Sequence, residues 1–269
     1  MLYQVTIPFT SQKGLRYGWS SASLLHGVLM ETIAPEAAET FHAQTVRPFS
    51  QSVEWTEDGQ AWVIRTLTQE AFSQIVPPLL ALRTAEVAHR DDVLTFGTPA
   101  LRRISYDDLF REHYILHEPA RLIKMDILTP TAFKSGGVYL NMPTPRLLLL
   151  GAARRYDALC STHGDGYESD EDAFAEEIGA RVSITSYRLR STAFPLEQIR
   201  IPAFTGTLTL RLGGNEIFRR YLNMICAFAS YSGIGIKTAL GMGMVRCVPL
   251  TEKGGTDGTE APDHDGSPA

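Results

Sequence analysis

Runs of alternating and helically spaced apolar residues follow one another through the first part of the chain. Alternation of apolar with polar positions predicts strands over residues 2–9, 48–55 and 61–67. Apolar residues spaced three and four apart predict helices over residues 19–33, 35–42, 72–89 and 107–113. Ser20 or Ser21 is the expected N-cap of the first helix, and Ser105 opens the last. Pro77 and Pro78 are expected to interrupt the third.

The pattern then starts again. Strands are predicted over residues 120–128, 181–194, 204–212 and 242–248, and helices over residues 146–162 and 216–229. Each half approximates β-α-β-β-α-β, the ferredoxin-like order. We therefore expect an α+β fold of two tandem ferredoxin-like (RRM-like) domains with a C-terminal glycine-rich loop. The expected domains are residues 1–118 and 119–250, and the Gly/Asp/Pro-rich residues 251–269 form a disordered acidic tail.

Composition limits the classes of protein that fit. The chain has 269 residues, 44% of them hydrophobic, which is enough for two small cores. No apolar run is long enough to cross a bilayer, and the first residues lack the layout of a signal peptide. Cys160, Cys226 and Cys247 form no paired motif. We expect a cytoplasmic protein without a membrane partner.

The net charge is −5, and the acidic side chains are distributed unevenly along the chain. Residues 163–180 hold seven acidic side chains and no Lys or Arg, and the tail after Leu250 is acidic too. We expect the first of these segments to be a solvated insertion. The rest of the chain is mildly basic, which permits a phosphate-binding face.

Residues 232–246, SGIGIKTALGMGMVR, combine four glycines with a lysine, a threonine and an arginine. They match neither GxxxxGK[ST] nor GxGxxG, and they follow a predicted helix and precede a strand, the reverse of those motifs. The RNA-recognition-motif signature is also absent. What remains is a helix-to-strand connection. Its glycines allow either a tight turn or the close approach of backbone N–H groups to a ligand.

Three blocks of sequence resemble one family. Residues 206–246, GTLTLRLGGNEIFRRYLNMICAFASYSGIGIKTALGMGMVR, resemble the C-terminal signature of the RAMP superfamily of CRISPR-associated proteins. Residues 125–159, MDILTPTAFKSGGVYLNMPTPRLLLLGAARRYDAL, and 24–52, LLHGVLMETIAPEAAETFHAQTVRPFSQS, are similar to blocks of its repeat-processing endoribonucleases. The order of elements agrees over almost all of the chain to Leu250.

The resemblance implies two tandem ferredoxin-like domains and binding of CRISPR repeat RNA. It implies one metal-independent cut per repeat, in which the 2′-hydroxyl attacks the adjacent phosphate and leaves a 2′,3′-cyclic phosphate and a 5′-hydroxyl. No cofactor or metal ion is expected. The resemblance leaves open whether the protein associates with other CRISPR-associated proteins and whether it forms a homodimer. The alternatives are a non-catalytic RAMP subunit that binds guide RNA in an effector complex and, more remotely, a nucleotide-dependent enzyme.

Such a cut needs a base, an acid and positive charge at the phosphate, which His with Lys or Arg can supply near neutral pH. His42 resembles the family's catalytic histidine, and Arg47 follows at near-family spacing; the alternative for His42 is a helix-end histidine. His26 is either a second catalytic histidine or a core histidine. Met30 stands where the family has a tyrosine, which favours a two-histidine site or one histidine aided by Arg47.

Candidate RNA contacts lie in the loop and near it. They are Gly233, Gly235, Lys237, Thr238, Gly241, Gly243 and Arg246, with Lys134, Arg154 and Arg155 outside the loop. Surface salt bridges are the alternative for Arg154 and Arg155, and a solvated loop charge for Lys134. The remaining histidines, His89, His113, His117, His163 and His264, are expected on surfaces, loops and the tail. The acids of residues 165–177 do not match a calcium loop, and no zinc pattern occurs.

Overall fold

The computed structural model describes residues 1–57, 59–160, 170–196 and 199–251. The first part of the chain forms β1 (Leu2–Ser11), α1 (Ala22–Thr32), α2 (Pro35–Ala43), β2 (Phe49–Thr56), β3 (Gly59–Thr66), α3 (Gln69–Ala81), β4 (Thr84–Val87), β5 (Asp92–Phe96), β6 (Ala100–Ile104) and α4 (Tyr106–Phe110). Its strands make an antiparallel sheet in the order β2-β3-β1-β5-β4. The beginning of β1 pairs with β6 and its end with β5. Helix residues such as Leu25 and Ile75 form one core with sheet residues such as Trp62.

The second part repeats the plan. It forms β7 (Leu122–Thr131), β8 (Phe133–Ser135), β9 (Val138–Leu140), α5 (Pro145–Cys160), α6 (Glu171–Arg181), β10 (Val182–Leu196), β11 (Ile199–Leu212), α7 (Glu216–Ser232) and β12 (Val245–Leu250). Its sheet has the order β10-β11-β7-β12, and β8 and β9 form a separate hairpin. In both sheets the strand after the first helix lies at one edge and the first strand lies inside. This is the ferredoxin-like order, so the predicted fold class is confirmed.

A small apolar cluster lies between the second sheet and the start of α1. Phe194 and Ile201, from the β10–β11 hairpin, pack with Met242 from the glycine-rich stretch. Trp19, which precedes α1, covers this cluster and lies 6.4 Å from Phe194 between ring centroids. The hairpin and the glycine-rich stretch are therefore held against the region from which α1 begins.

Several predicted elements differ from the observed ones. The helix over residues 72–89 is wrong in its extent, because α3 ends at Ala81 and runs through Pro77 and Pro78. Strands β4, β5 and β6 follow it, and none of them was predicted. Residues of β6 are almost all exposed, so this edge strand carries little of the alternation that reveals a strand.

The predicted N-caps Ser21 and Ser105 differ in whether their side chains cap a helix. Ser21 occupies the N-cap position of α1, but its side chain makes no capping hydrogen bond, because a 3-10 turn over Trp19–Ser21 precedes the helix. Ser105 does cap α4: its Oγ accepts from the N–H of Asp108, whose carboxylate accepts in return from the Ser105 N–H. The helix continues as a π-helical turn over Arg111–Leu116.

The expectation of a solvated acidic insertion is wrong for its second part. Residues 171–181 form α6, and its Ala175 and Ile178 are buried. Residues 163–169 of that segment, with His163, and all of the predicted tail over residues 251–269 except Thr251, with His264, lie outside the described residues. The final strand begins at Val245 rather than at residue 242. No helix in the described ranges is long and apolar enough to span a bilayer.

Candidate functional site

Three of the predicted site residues meet where α1, α2 and β2 come together. His26 lies on α1 and His42 in the last turn of α2, and their ring centroids are 6.4 Å apart. Arg47 lies in the connection from α2 to β2. Its guanidinium donates to the carbonyl oxygens of His42, at 2.9 Å, and of Gln44. The two histidine rings are therefore close enough to reach one phosphate group, and Arg47 holds the backbone beneath one of them.

His26 lies in a desolvated position. Its ring stacks on Phe49, with 6.1 Å between centroids and 14° between planes. Its Nδ1 atom is buried without a hydrogen-bond partner in the described structure. The pKa of His26 is lowered from 6.5 to about 4, first by burial and then by the positive charges of His42 and Arg47, against a smaller opposing effect of the Ala239 carbonyl. The ring is therefore neutral near pH 7 and able to accept a proton. The burial of the ring and its hydrogen bond with the Ala239 carbonyl agree with the core-histidine alternative, and the unpaired Nδ1 agrees with a catalytic histidine.

His42 differs from His26 in its access to solvent. It is exposed in the last turn of α2, so a ligand outside the protein can reach its ring. The other described histidines, His89, His113 and His117, lie on separate segments and do not join the pair. Burial lowers the pKa of His113. Among the residues that the structure describes, no group of three or more His, Cys, Asp or Glu side chains gathers as metal ligands.

The glycine-rich stretch after α7 lies directly against α1. We call residues 233–244 the glycine loop. Ala239, in a 3-10 turn of this loop, is part of the same core as α1 and β2. Gly241 has a φ of 98°, and a Cβ built there would stand 2.2 Å from the Cβ of Ala22. Only glycine permits this contact, which joins the loop to the first residue of the helix that carries His26.

Buried polar side chains fasten the loop to β2. Gln51 donates to the carbonyl oxygen of Ala22 at 3.1 Å and to that of Ala239 at 2.8 Å. Ser50 donates to the carbonyl oxygen of Tyr231, in the last turn of α7, at 2.6 Å. The sequence reasoning missed both residues. The signal for Gln51 was present, since it is a polar residue on the face of a strand whose neighbours, such as Phe49, are apolar.

Arg155 and Thr238, two of the predicted RNA contacts, make contacts within the protein. Arg155 on α5 donates to the carbonyl oxygens of Ser232 at 2.8 Å, Gly233 at 2.9 Å and Gly235 at 3.3 Å. Burial lowers its pKa to about 10, so the guanidinium remains charged while it holds the start of the loop. Thr238 is buried, with its methyl group against Gly233. Both residues stabilise the loop from inside, which differs from the expectation of contact with RNA.

The remaining predicted cations lie at the surface. Arg154 pairs with Glu171 at 2.6 Å, in agreement with its salt-bridge alternative. Arg246 is mostly exposed and lies 3.1 Å from Asp126 on the neighbouring strand β7. The segments that carry Lys134 and Lys237 meet, because the N–H of Ile236 donates to the carbonyl of Ala132 at 3.0 Å. Lys134 also lies over the ring of Tyr139, 5.5 Å from its centroid.

Comparison with known proteins identifies relatives that share one description. Residues 125–245 match the family model described as CRISPR-associated endoribonuclease Cas6. A Cas6 endoribonuclease of Mycobacterium tuberculosis is 34% identical over 232 residues, which cover 85% of this chain and 72% of the relative. One of Streptococcus thermophilus is 30% identical over 222 residues, which cover 82% and 88%.

Solved structures agree in fold. A Cas6 product complex superposes with a TM-score of 0.73 at 23% identity, over 92% of this chain and all of that chain. A Cas6 of Thermus thermophilus superposes with a TM-score of 0.70 at 22% identity, over 92% and 98%. At this level of identity the superpositions establish the tandem architecture, and the chemistry has to be argued from the residues of this chain.

Proposed function

Because the chain belongs to the Cas6 family of CRISPR-associated endoribonucleases, we propose that it cuts precursor CRISPR RNA within each repeat. The observation that carries the proposal is the His26–His42 pair. The two rings lie 6.4 Å apart, one neutral and partly buried and one exposed, directly beside a loop that presents backbone and Lys237. A phosphodiester between the rings would have a proton acceptor on one side and a proton donor on the other.

The proposed reaction is an internal transesterification. The 2′-oxygen forms a bond to the adjacent phosphorus, and the bond from phosphorus to the 5′-oxygen breaks. The base takes the proton of the 2′-hydroxyl and the acid protonates the departing 5′-oxygen, so the products are a 2′,3′-cyclic phosphate and a 5′-hydroxyl. Two histidines suffice for these proton transfers, each worth about 10²–10⁴-fold in rate, and the reaction requires neither a metal ion nor a cofactor.

We assign the base to His26 and the acid to His42. His26 is neutral at working pH, and its lowered pKa rises when the negative scissile phosphate comes within contact distance, which strengthens it as a base in the complex. His42 is open to solvent, so it can exchange its proton between turnovers. Arg47 contributes positive charge beside the pair while its own hydrogen bonds hold the end of α2.

The RNA would follow the basic groups near the loop. Lys237 has a left-handed backbone at φ 56° and directly precedes the 3-10 turn over Thr238–Leu240. Backbone N–H groups at such a turn, together with the Lys237 side chain, would suit a phosphate. Exposed arginines on the β10–β11 hairpin extend the basic surface; they are Arg188, Arg190 and Arg200. Contacts to phosphates fix the position of an RNA without reading its bases.

We further propose that residues 1–118 and 119–250 are the two domains and that residues 251–269 are a tail outside them. The pair of histidines then belongs to the first domain and the loop to the second. Cleavage depends on the contact between the domains, because the base on α1 and the phosphate-binding loop come from different ones.

One assay separates this proposal from a non-catalytic RNA-binding subunit. The protein is incubated with repeat RNA in EDTA, and the ends of the products are identified by mass spectrometry. The proposal predicts a 2′,3′-cyclic phosphate and a 5′-hydroxyl at a single position in the repeat. Tight binding of several CRISPR repeats without any cleavage would favour the binding subunit.

A further inference from the structure

Gln51 is a fully buried polar residue at the contact between β2, α1 and the glycine loop. Its Nε2 donates to the carbonyl oxygens of Ala22, the first residue of α1, and of Ala239 in the loop. Its Oε1 accepts from the indole N–H of Trp62 on β3, at 2.6 Å. One carboxamide therefore joins two strands, a helix and a loop from the other half of the chain.

Trp62 sets the direction of this carboxamide. An indole N–H can only donate, so its partner must be Oε1, and both N–H groups of Nε2 then face the two carbonyl oxygens. A flipped amide would set a donor against a donor and leave carbonyl groups without partners in a buried place. Gln51 is satisfied only when α1 and the glycine loop both occupy their observed positions.

The position of His26 depends on the same contacts. His26 follows Ala22 by four residues on α1, so the two lie on one face of the helix. The carbonyl of Ala239, which accepts from Gln51, also makes a hydrogen bond with the imidazole of His26. The backbone of Gly241 touches Ala22 at the same point. The placement of the loop relative to His26 is thus set through Gln51.

We infer that Gln51 is a positioning residue for RNA cleavage, which holds the glycine loop and α1 together so that His26 meets the phosphate bound at the loop. The inference rests on the proposed function. Gln51 is buried and touches no reacting atom, so its effect is on geometry. A displacement of about 1 Å in a catalytic group can lower a rate about 10²-fold while binding persists.

The test is Gln51→Met, which keeps the length of the side chain and removes both donors and the acceptor. We expect the single-turnover cleavage rate at saturating repeat RNA to fall about 10–100-fold, with a change in the dissociation constant of less than about threefold. We also expect the pKa of His26, followed by NMR titration of the free protein, to rise from about 4 toward its ordinary value, because a loosened loop admits water to the ring.

Gln60→Met is the matched control. Gln60, on β3, also joins main-chain groups: it donates to the carbonyl of Leu15 at 3.4 Å and accepts from the N–H of Tyr17. Those groups belong to a loop of the first sheet, away from His26. This variant should keep the wild-type cleavage rate and the wild-type pKa of His26, whatever it does to overall stability.

Three results would overturn the inference. They are an unchanged rate and an unchanged pKa of His26 in Gln51→Met, an equal loss of rate in both variants, and a loss of RNA binding as large as the loss of rate. If Gln51→Met does not fold, Trp62→Phe decides by the same measurements, since it removes the N–H that orients the amide, together with part of the indole ring, and leaves Gln51 in place. If the wild-type protein cuts no repeat RNA, the proposed function fails, and the pKa of His26 still tests whether Gln51 places the loop.

Discussion

The imidazole ring of His26 lies 6.4 Å from that of His42, measured between centroids, where α1 and α2 meet beside β2. The fifteen residues between them in the chain include the end of one helix and most of another. The ring of His26 is pressed against Phe49 and the glycine loop, while that of His42 faces solvent. The surroundings lower the pKa of His26 and leave His42 open to solvent, so the two rings are suited to different roles in paired acid and base catalysis.

The pH dependence of cleavage should differ between free and bound enzyme. Free His26 has a pKa of about 4, so kcat/KM should keep its value well below pH 6. The phosphate of bound RNA raises the pKa of His26, so kcat should begin to fall at a higher pH than kcat/KM does. Rates measured at limiting and at saturating RNA from pH 4.5 to 8, where circular dichroism confirms the fold, check this. Coincident acid limbs near pH 6.5 would contradict the role given to His26.

His26 should also make the protein sensitive to acid. Its folded-state pKa is lowered, so the unfolded state binds its proton first as the pH falls from 6.5 to about 4, and stability is lost across that window. Discounted for the partial exposure of the ring, the loss is about 1–3 kcal/mol. His26→Gln should lose that much less of its unfolding free energy between pH 7 and pH 4.5 than the wild type, by urea titration. Parallel losses in the two proteins would show that His26 is not desolvated as described.

The contact at Gly241 should not tolerate a side chain. Gly241→Ala places a Cβ 2.2 Å from that of Ala22 and in a left-handed conformation. Overpacking and backbone strain together should lower the unfolding free energy by roughly 2–5 kcal/mol. Gly151→Ala is the control, since a Cβ there on α5 meets nothing and alanine favours a helix by about 0.5–1 kcal/mol. Equal thermal midpoints for the two variants would mean that the loop does not pack on α1.

Two cations of the loop region should respond differently to substitution. Lys237→Ala should weaken repeat RNA binding and reduce the slope of log K against log salt by about one, because one phosphate contact is lost. Arg155→Met should leave that slope unchanged and lower the unfolding free energy by about 2–4 kcal/mol, because three carbonyl oxygens lose their donor. A reduced salt slope in Arg155→Met would show that Arg155 contacts a phosphate of the RNA.

Periodic elements with a buried face were predictable from the sequence. Helix α7 and strand β1 carry regular apolar patterns, and both occur close to their predicted bounds. Strands β4 to β6 were missed because they are short or exposed on an edge, where the apolar alternation disappears. Residues Pro77 and Pro78 were expected to break a helix, yet α3 continues through them.

The histidines of the site could be proposed from residue type and resemblance, but their environment could not. Nothing local to His26 shows that Ala239, more than two hundred residues away, lies beside it. Arg155 was expected to contact RNA, with a surface salt bridge as the alternative. In the structure it turns toward the main-chain carbonyls of the loop, a contact between distant segments that no periodicity encodes.

The central claim is that His26 and His42 together perform the cut, and single-turnover cleavage in EDTA by the two alanine variants tests it most directly. His42→Ala and His26→Ala should each lower the cleavage rate about 10²–10⁴-fold, with repeat RNA binding within about threefold of wild type. His89 lies in a separate 3-10 turn, so the control variant His89→Ala should cut at the wild-type rate. Full cleavage by either variant of the pair, or a loss that simply follows weakened binding, would contradict the account.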